Sequence, residues 1–185
     1  MAQTNTVART LHDLGLAAWF GGSLMGAVGL NGAAAKASAL TERSKVANAG
    51  WARWTPVNLA AIAAYVGGGV VLTGGNRGRV AAQAGVGQAS AVKTVLTGAA
   101  LLATGYSRVL GQRVMNAGTP PVQGATEPVA STPDDVAAAQ RQLKALQWAI
   151  PALTGALIVV NARMGEQQRP QSVVAGVLHR LNPAA

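Results

Sequence analysis

Apolar residues in this chain are gathered into long blocks, not alternated or confined to one helical face. The first block, residues 14–35 (LGLAAWFGGSLMGAVGLNGAAA), contains no charge. As a helix rising 1.5 Å per residue it would be about 33 Å long, enough to cross a hydrocarbon core of ~30 Å. The second, residues 54–75, is also uncharged; Trp51 and Trp54 stand at its edge, Pro56 near its start, and Gly74, Gly75 and Asn76 at its end as stop residues. The third, residues 92–110, has an uncharged centre from Thr94 to Ser107. Lys93 and Arg108 sit near its ends, where long cationic side chains reach headgroups. The fourth lies in a helix over 134–162 that opens on Thr132-Pro133-Asp134-Asp135. That motif supplies a cap, a proline at the first helical position and acids on the positive end of the helix dipole. Val136, Ala139, Leu143 and Leu146 form an apolar stripe leading into a span over 145–162, which contains Pro151. Asn31, Asn76 and Asn161 each fall near the end of a span, as C-terminal caps do. The pattern predicts an all-α integral membrane bundle of about four transmembrane helices.

The intervening segments are polar. Residues 1–13 form a lead in which Thr10 and Asp13 have the spacing of a helix-capping pair. Residues 36–53 and 76–91 are basic loops. Residues 111–133, with Pro120, Pro121, Pro128 and Pro133, read as an extended Pro-rich extramembrane loop. In the tail, 163–185, Val173, Val174, Val177, Leu178 and Leu181 share one helical face, as an interfacial amphipathic helix would place them. Arg9 and the alanines at 33–35 also suit a signal peptide, but the charge-free run exceeds the usual ~7–15 residue apolar region, so a retained span is expected.

Composition sharpens this picture. Half the residues are hydrophobic and only 11% are charged, against about 25% in a soluble domain. The net charge of +9 is carried between and beside the apolar blocks. That placement favours anionic lipid headgroups as partners over nucleic acid, which needs a basic face on a soluble fold. Arginine outnumbers lysine, and alanine and glycine abound, as in a GC-rich bacterial genome. The expected location is the bacterial inner membrane, with both termini inside because the short 76–91 loop carries no acid.

Small residues form the most informative pattern. Lipid gives two spans no hydrophobic drive to pair, so close backbone approach must supply it. Gly22 and Gly26 make a GxxxG, extended by Ala18, Gly29 and Ala33; the second span carries Ala60, Ala64 and Gly68, and the third Gly98 and Gly105. These faces either pack the bundle internally or dock a second copy or a larger membrane complex.

Chemistry is scarce. The chain has no cysteine, which removes disulfides, thiolate metal sites and cysteine nucleophiles. No acid falls deep in a predicted span, as ion-coupled transport generally requires. Of the two histidines, His12 and His179, neither is expected to bind haem or any other cofactor. His12 adjoins Asp13, but neighbouring helical residues point about 100° apart, which argues against a dyad. The GGNRGR run from Gly74 to Arg79 reads as a span stop followed by loop cations more readily than as a phosphate cradle. Tyr65 and Tyr106 could line one pocket. The expected function is therefore non-catalytic: an accessory or scaffold subunit that packs through Gly/Ala faces as a homo-oligomer or within a larger membrane complex. The alternative is a lipid or small-molecule carrier with a pocket near the two tyrosines; an enzyme ranks third.

Overall fold

The computed structural model of the chain describes residues 5–75 and 86–166. It is mostly helical, and four long helices account for nearly all of it: α1 (Thr6–Ala34), α2 (Leu40–Gly75), α3 (Val86–Asn116) and α4 (Asp134–Glu166). Two short strands, β1 (Val122–Gly124) and β2 (Glu127–Pro128), pair antiparallel between α3 and α4.

The helices outrun their apolar blocks. α1 starts at Thr6, so Thr10 lies inside it and caps nothing. The extension is stabilised by burial of His12 against α2, an interaction no local pattern encodes. α2 likewise starts at Leu40, within the basic segment, which leaves Pro56 in its interior. Proline has no N–H, so the carbonyl of Ala52 goes without its helical partner there. In α4, Pro151 is interior too, and Thr154 turns its hydroxyl back to the carbonyls of Ile150 (2.8 Å) and Pro151 (3.3 Å). α1 carries a π-turn over Gly26–Leu30, a one-residue insertion that rotates everything beyond it relative to the preceding helix.

Three of the four helices, α1, α2 and α4, are long and apolar enough to cross a membrane. α3 is long but more polar, with Lys93, Arg108, Arg113 and two glutamines among its residues. Many large apolar side chains face outward, among them Val70, Val95 and Leu102.

α1 lies along α2, α3 lies along α4, and α1 also meets α4; α2 and α3 hardly touch. The molecule is thus two helical hairpins joined by an α1–α4 seam, open between α2 and α3. Leu16, Trp19, Tyr65, Ala100, Ile150 and Leu157 form the main core, and Leu110, Val114, Val136 and Ala139 a second one near the strands. The Pro-rich segment is not an extended loop. Its hairpin packs against the bundle with Val122 fully buried, and Gln140 of α4 donates to the carbonyls of Gly124 and Ala125 (both 3.1 Å). Thr132 closes it, donating to Pro121 O (2.6 Å) and accepting from Val129 N (2.9 Å).

Candidate functional site

The gap between α2 and α3 is a cavity of about 530 Å³. Leu59 and Ile62 of α2, Leu101 and Val114 of α3 and Ile150 of α4 supply apolar wall. Ser23 and Asn31 of α1 and Gln147 of α4 stand behind, and Ala125 and Thr126 of the strand hairpin close one end. The cleft opens because α2 and α3 hardly touch: α2 packs on α1 and the strand hairpin, and α3 on α4.

Polar groups collect at the hairpin end. Trp51 Nε1–H donates to Asn31 Oδ1 (3.0 Å), and Asn31 Nδ2 donates to Gln147 Oε1 (2.8 Å). Gln147 Nε2 reaches Thr126 Oγ1 (3.4 Å), which donates to Glu127 Oε1 (3.1 Å); Lys144 pairs with that carboxylate at 3.4 Å. Asn31, expected as a helix end-cap, is instead buried, because the π-turn immediately before it turns its side chain inward. Two further groups in the lining lack this support. Asn58 Oδ1 is a buried acceptor with no hydrogen-bond partner among the described residues. Arg108, an exposed residue of the lining, makes one side-chain hydrogen bond, to Met115 Sδ at 3.7 Å, and has no carboxylate within ion-pair distance among the described residues.

A second polar cluster lies toward the other end of the bundle. His12 is 3% exposed, with Nδ1 2.8 Å from Asp13 Oδ1 and Nε2 2.7 Å from Lys93 Nζ. A protonated lysine can only donate, so Nε2 accepts and Nδ1–H donates to the carboxylate. A neutral imidazole thereby links an acid to a cation. The expectation that His12 and Asp13 point apart is overturned: Nδ1 sits near the backbone end of the ring, where the short carboxylate swings alongside it. With both nitrogens engaged, His12 in this state has no lone pair free for a haem iron or a second donor. Its ring lies 4.6 Å from that of Tyr65, and the bare backbones of Gly68 and Gly69 give it room. Along α1, His12 and Asn31 are 31 − 12 = 19 residues apart, about 28 Å of helix and one hydrocarbon thickness.

The tyrosines do not share a pocket. Tyr65 is buried with its hydroxyl 2.8 Å from Thr97 Oγ1, whereas Tyr106 is 48% exposed and donates to Gln142 Oε1 (2.5 Å). Neither lines the cavity. The small-residue stripes are split. A methyl group on Gly22 would overlap the Trp54 ring and one on Gly26 the Trp51 ring; one on Gly68 would strike Ala8 O and His12. Those three glycines are therefore sockets inside the chain. Gly29 is covered by Met25 of its own helix, and Ala64 is half-buried. Ala18, Ala33 and Ala60 are exposed, and neither Gly98 nor Gly105 has a neighbour where a Cβ would stand; Gly105 lines the cavity. Arg77, Arg79, Asn76, His179 and the amphipathic tail lie outside the described residues.

Sequence reasoning passed over Asn58 and Gln147 and misassigned Asn31. The signal was available: isolated amides inside apolar runs are costly unless they have work to do. Comparison of the chain with protein-family models, curated proteins and solved structures finds no match.

Proposed function

We propose that this chain is a multi-pass protein of the bacterial inner membrane that binds an amphipathic membrane molecule in the cleft between α2 and α3, without catalysing a reaction on it. One observation carries the reading: a cavity of about 530 Å³ whose walls are largely apolar and which meets the Asn31–Gln147–Thr126 polar network at its hairpin end. That volume is in the ~300–1,000 Å³ range of small-molecule sites. Its polarity gradient matches a chain-and-headgroup ligand, with the alkyl part between Leu59, Ile62 and Leu101 and the head toward Asn31 and Gln147. In this reading α3 crosses the bilayer with the other three helices, its polar residues turned to the cleft, to His12 or to the interfaces.

The docking role is narrowed, because Gly22 and Gly26 already receive Trp54 and Trp51. A face for a second copy or a larger complex would have to use Ala18, Ala33 and Ala60 instead.

The test is native mass spectrometry of the chain released from a mild detergent. A retained adduct of lipid mass is expected, and Gly105→Phe, which fills the cleft where the structure leaves space, should remove it. A bare chain, or an adduct indifferent to Gly105→Phe, would reject the cleft as the site.

A further inference from the structure

We infer that the cleft selects an anionic phospholipid of the bilayer, its phosphate held by Arg108 and one acyl chain lying between α2 and α3. The inference rests on the cleft reading above and adds the headgroup charge and the residue that reads it.

Three observations converge. Among the described residues the lining contains one cation, Arg108, and no aspartate or glutamate. That guanidinium has no ion-pair partner among the described residues, and a thioether 3.7 Å away is a weak acceptor for a group with five donors. The acid nearest along the polar chain, Glu127, is already held by Lys144 and Thr126. A phosphate matches the planar fork of arginine through two parallel charge-assisted bonds. A protein helix is a poorer occupant: ~18 residues of helix about 10 Å wide displace on the order of 2,000 Å³, against a cavity of about 530 Å³.

Trp51 and Trp54 line the cleft and report on it directly. The full chain with Trp148→Phe would be reconstituted in phosphatidylcholine vesicles doped with phosphatidylglycerol whose acyl chains are brominated; Trp19 is fully buried and contributes a constant background. Brominated chains quench tryptophan on contact. Brominated phosphatidylglycerol should quench about fivefold more effectively than brominated phosphatidylcholine at equal mole fraction, the ratio expected of one headgroup–cation contact. Arg108→Gln should bring that ratio to one, and Arg108→Lys should keep part of it. Arg113→Gln, which removes an exposed cation of α3 outside the lining, should leave it intact. Equal quenching by both lipids, or a loss as large in Arg113→Gln, would overturn the headgroup inference while leaving a cleft that binds chains. Quenching unchanged by Gly105→Phe would instead overturn the cleft reading itself. A dimer whose contacts protect both tryptophans from either lipid would also overturn it, making the cleft an interface between copies.

Discussion

His12 shows how one side chain can settle a charge problem in an apolar setting. Lys93 is half-buried, and among the described residues its ammonium meets no carboxylate directly; the imidazole passes the interaction on to Asp13. Replacing His12 by leucine would leave that ammonium without an acceptor, at a cost of about 1–3 kcal/mol. Removing Lys93 as well, as methionine, should restore most of the loss, because the unsatisfied donor disappears with it. A double-mutant cycle on unfolding in mixed detergent micelles measures the coupling, and additive effects would show that the two residues do not interact. Gly22 and Gly26 make a different residue-scale prediction. Isoleucine at either would force Trp54 or Trp51 off its seat and destabilise the monomer by about 1–3 kcal/mol. If the pair instead served a partner, the same substitutions would dissolve an assembly and leave monomer unfolding unchanged.

At the level of elements, the π-turn in α1 links backbone geometry to the polar end of the cleft. Its extra residue aims Asn31 at Trp51 and Gln147. Deleting Val28, an exposed residue of that turn, should convert it to regular helix and rotate Asn31 by about 100°. The expected result is lower stability together with a changed Trp51 emission, and Asn31→Leu should reproduce both. Helical class was legible in the apolar blocks, since uninterrupted runs of that length leave the backbone no other way to satisfy its hydrogen bonds in lipid. The cleft was not. Sequence periodicity reports which residues are apolar, and not which helices pack together, so Tyr65 and Tyr106 seemed equally able to form a pocket until α3 fell against α4 and not α2. The folded Pro-rich hairpin was hidden for a related reason: prolines and glycines announce turns, but the burial of Val122 and the bonds from Gln140 come from α4, far along the chain. Asp134 and Asp135, by contrast, fall in the first turn of α4, where the local dipole alone accounts for them.

For the whole molecule, the two polar clusters give a ruler. If the bundle spans the bilayer as proposed, the His12 cluster and the Asn31 cluster lie at opposite interfaces, about 28 Å apart. The chain has no cysteine, so single cysteines report without background. Val7→Cys and Ser38→Cys, both at exposed positions, should react with impermeant maleimide from opposite sides of inner-membrane vesicles, while Leu24→Cys, also exposed, should resist it from both. Labelling of all three from one side would refute a spanning α1.

The sparse contact between α2 and α3 also bears on how the protein comes to exist. Most of the packing lies within α1–α2, within α3–α4, along the α1–α4 seam and where the strand hairpin meets α2. If the bundle spans the bilayer as proposed, each hairpin can leave the translocon as a unit on either side of residues 76–85. Cutting the gene there and expressing the two halves as separate polypeptides should still yield a complex that co-purifies, since the seam that unites them does not depend on the link.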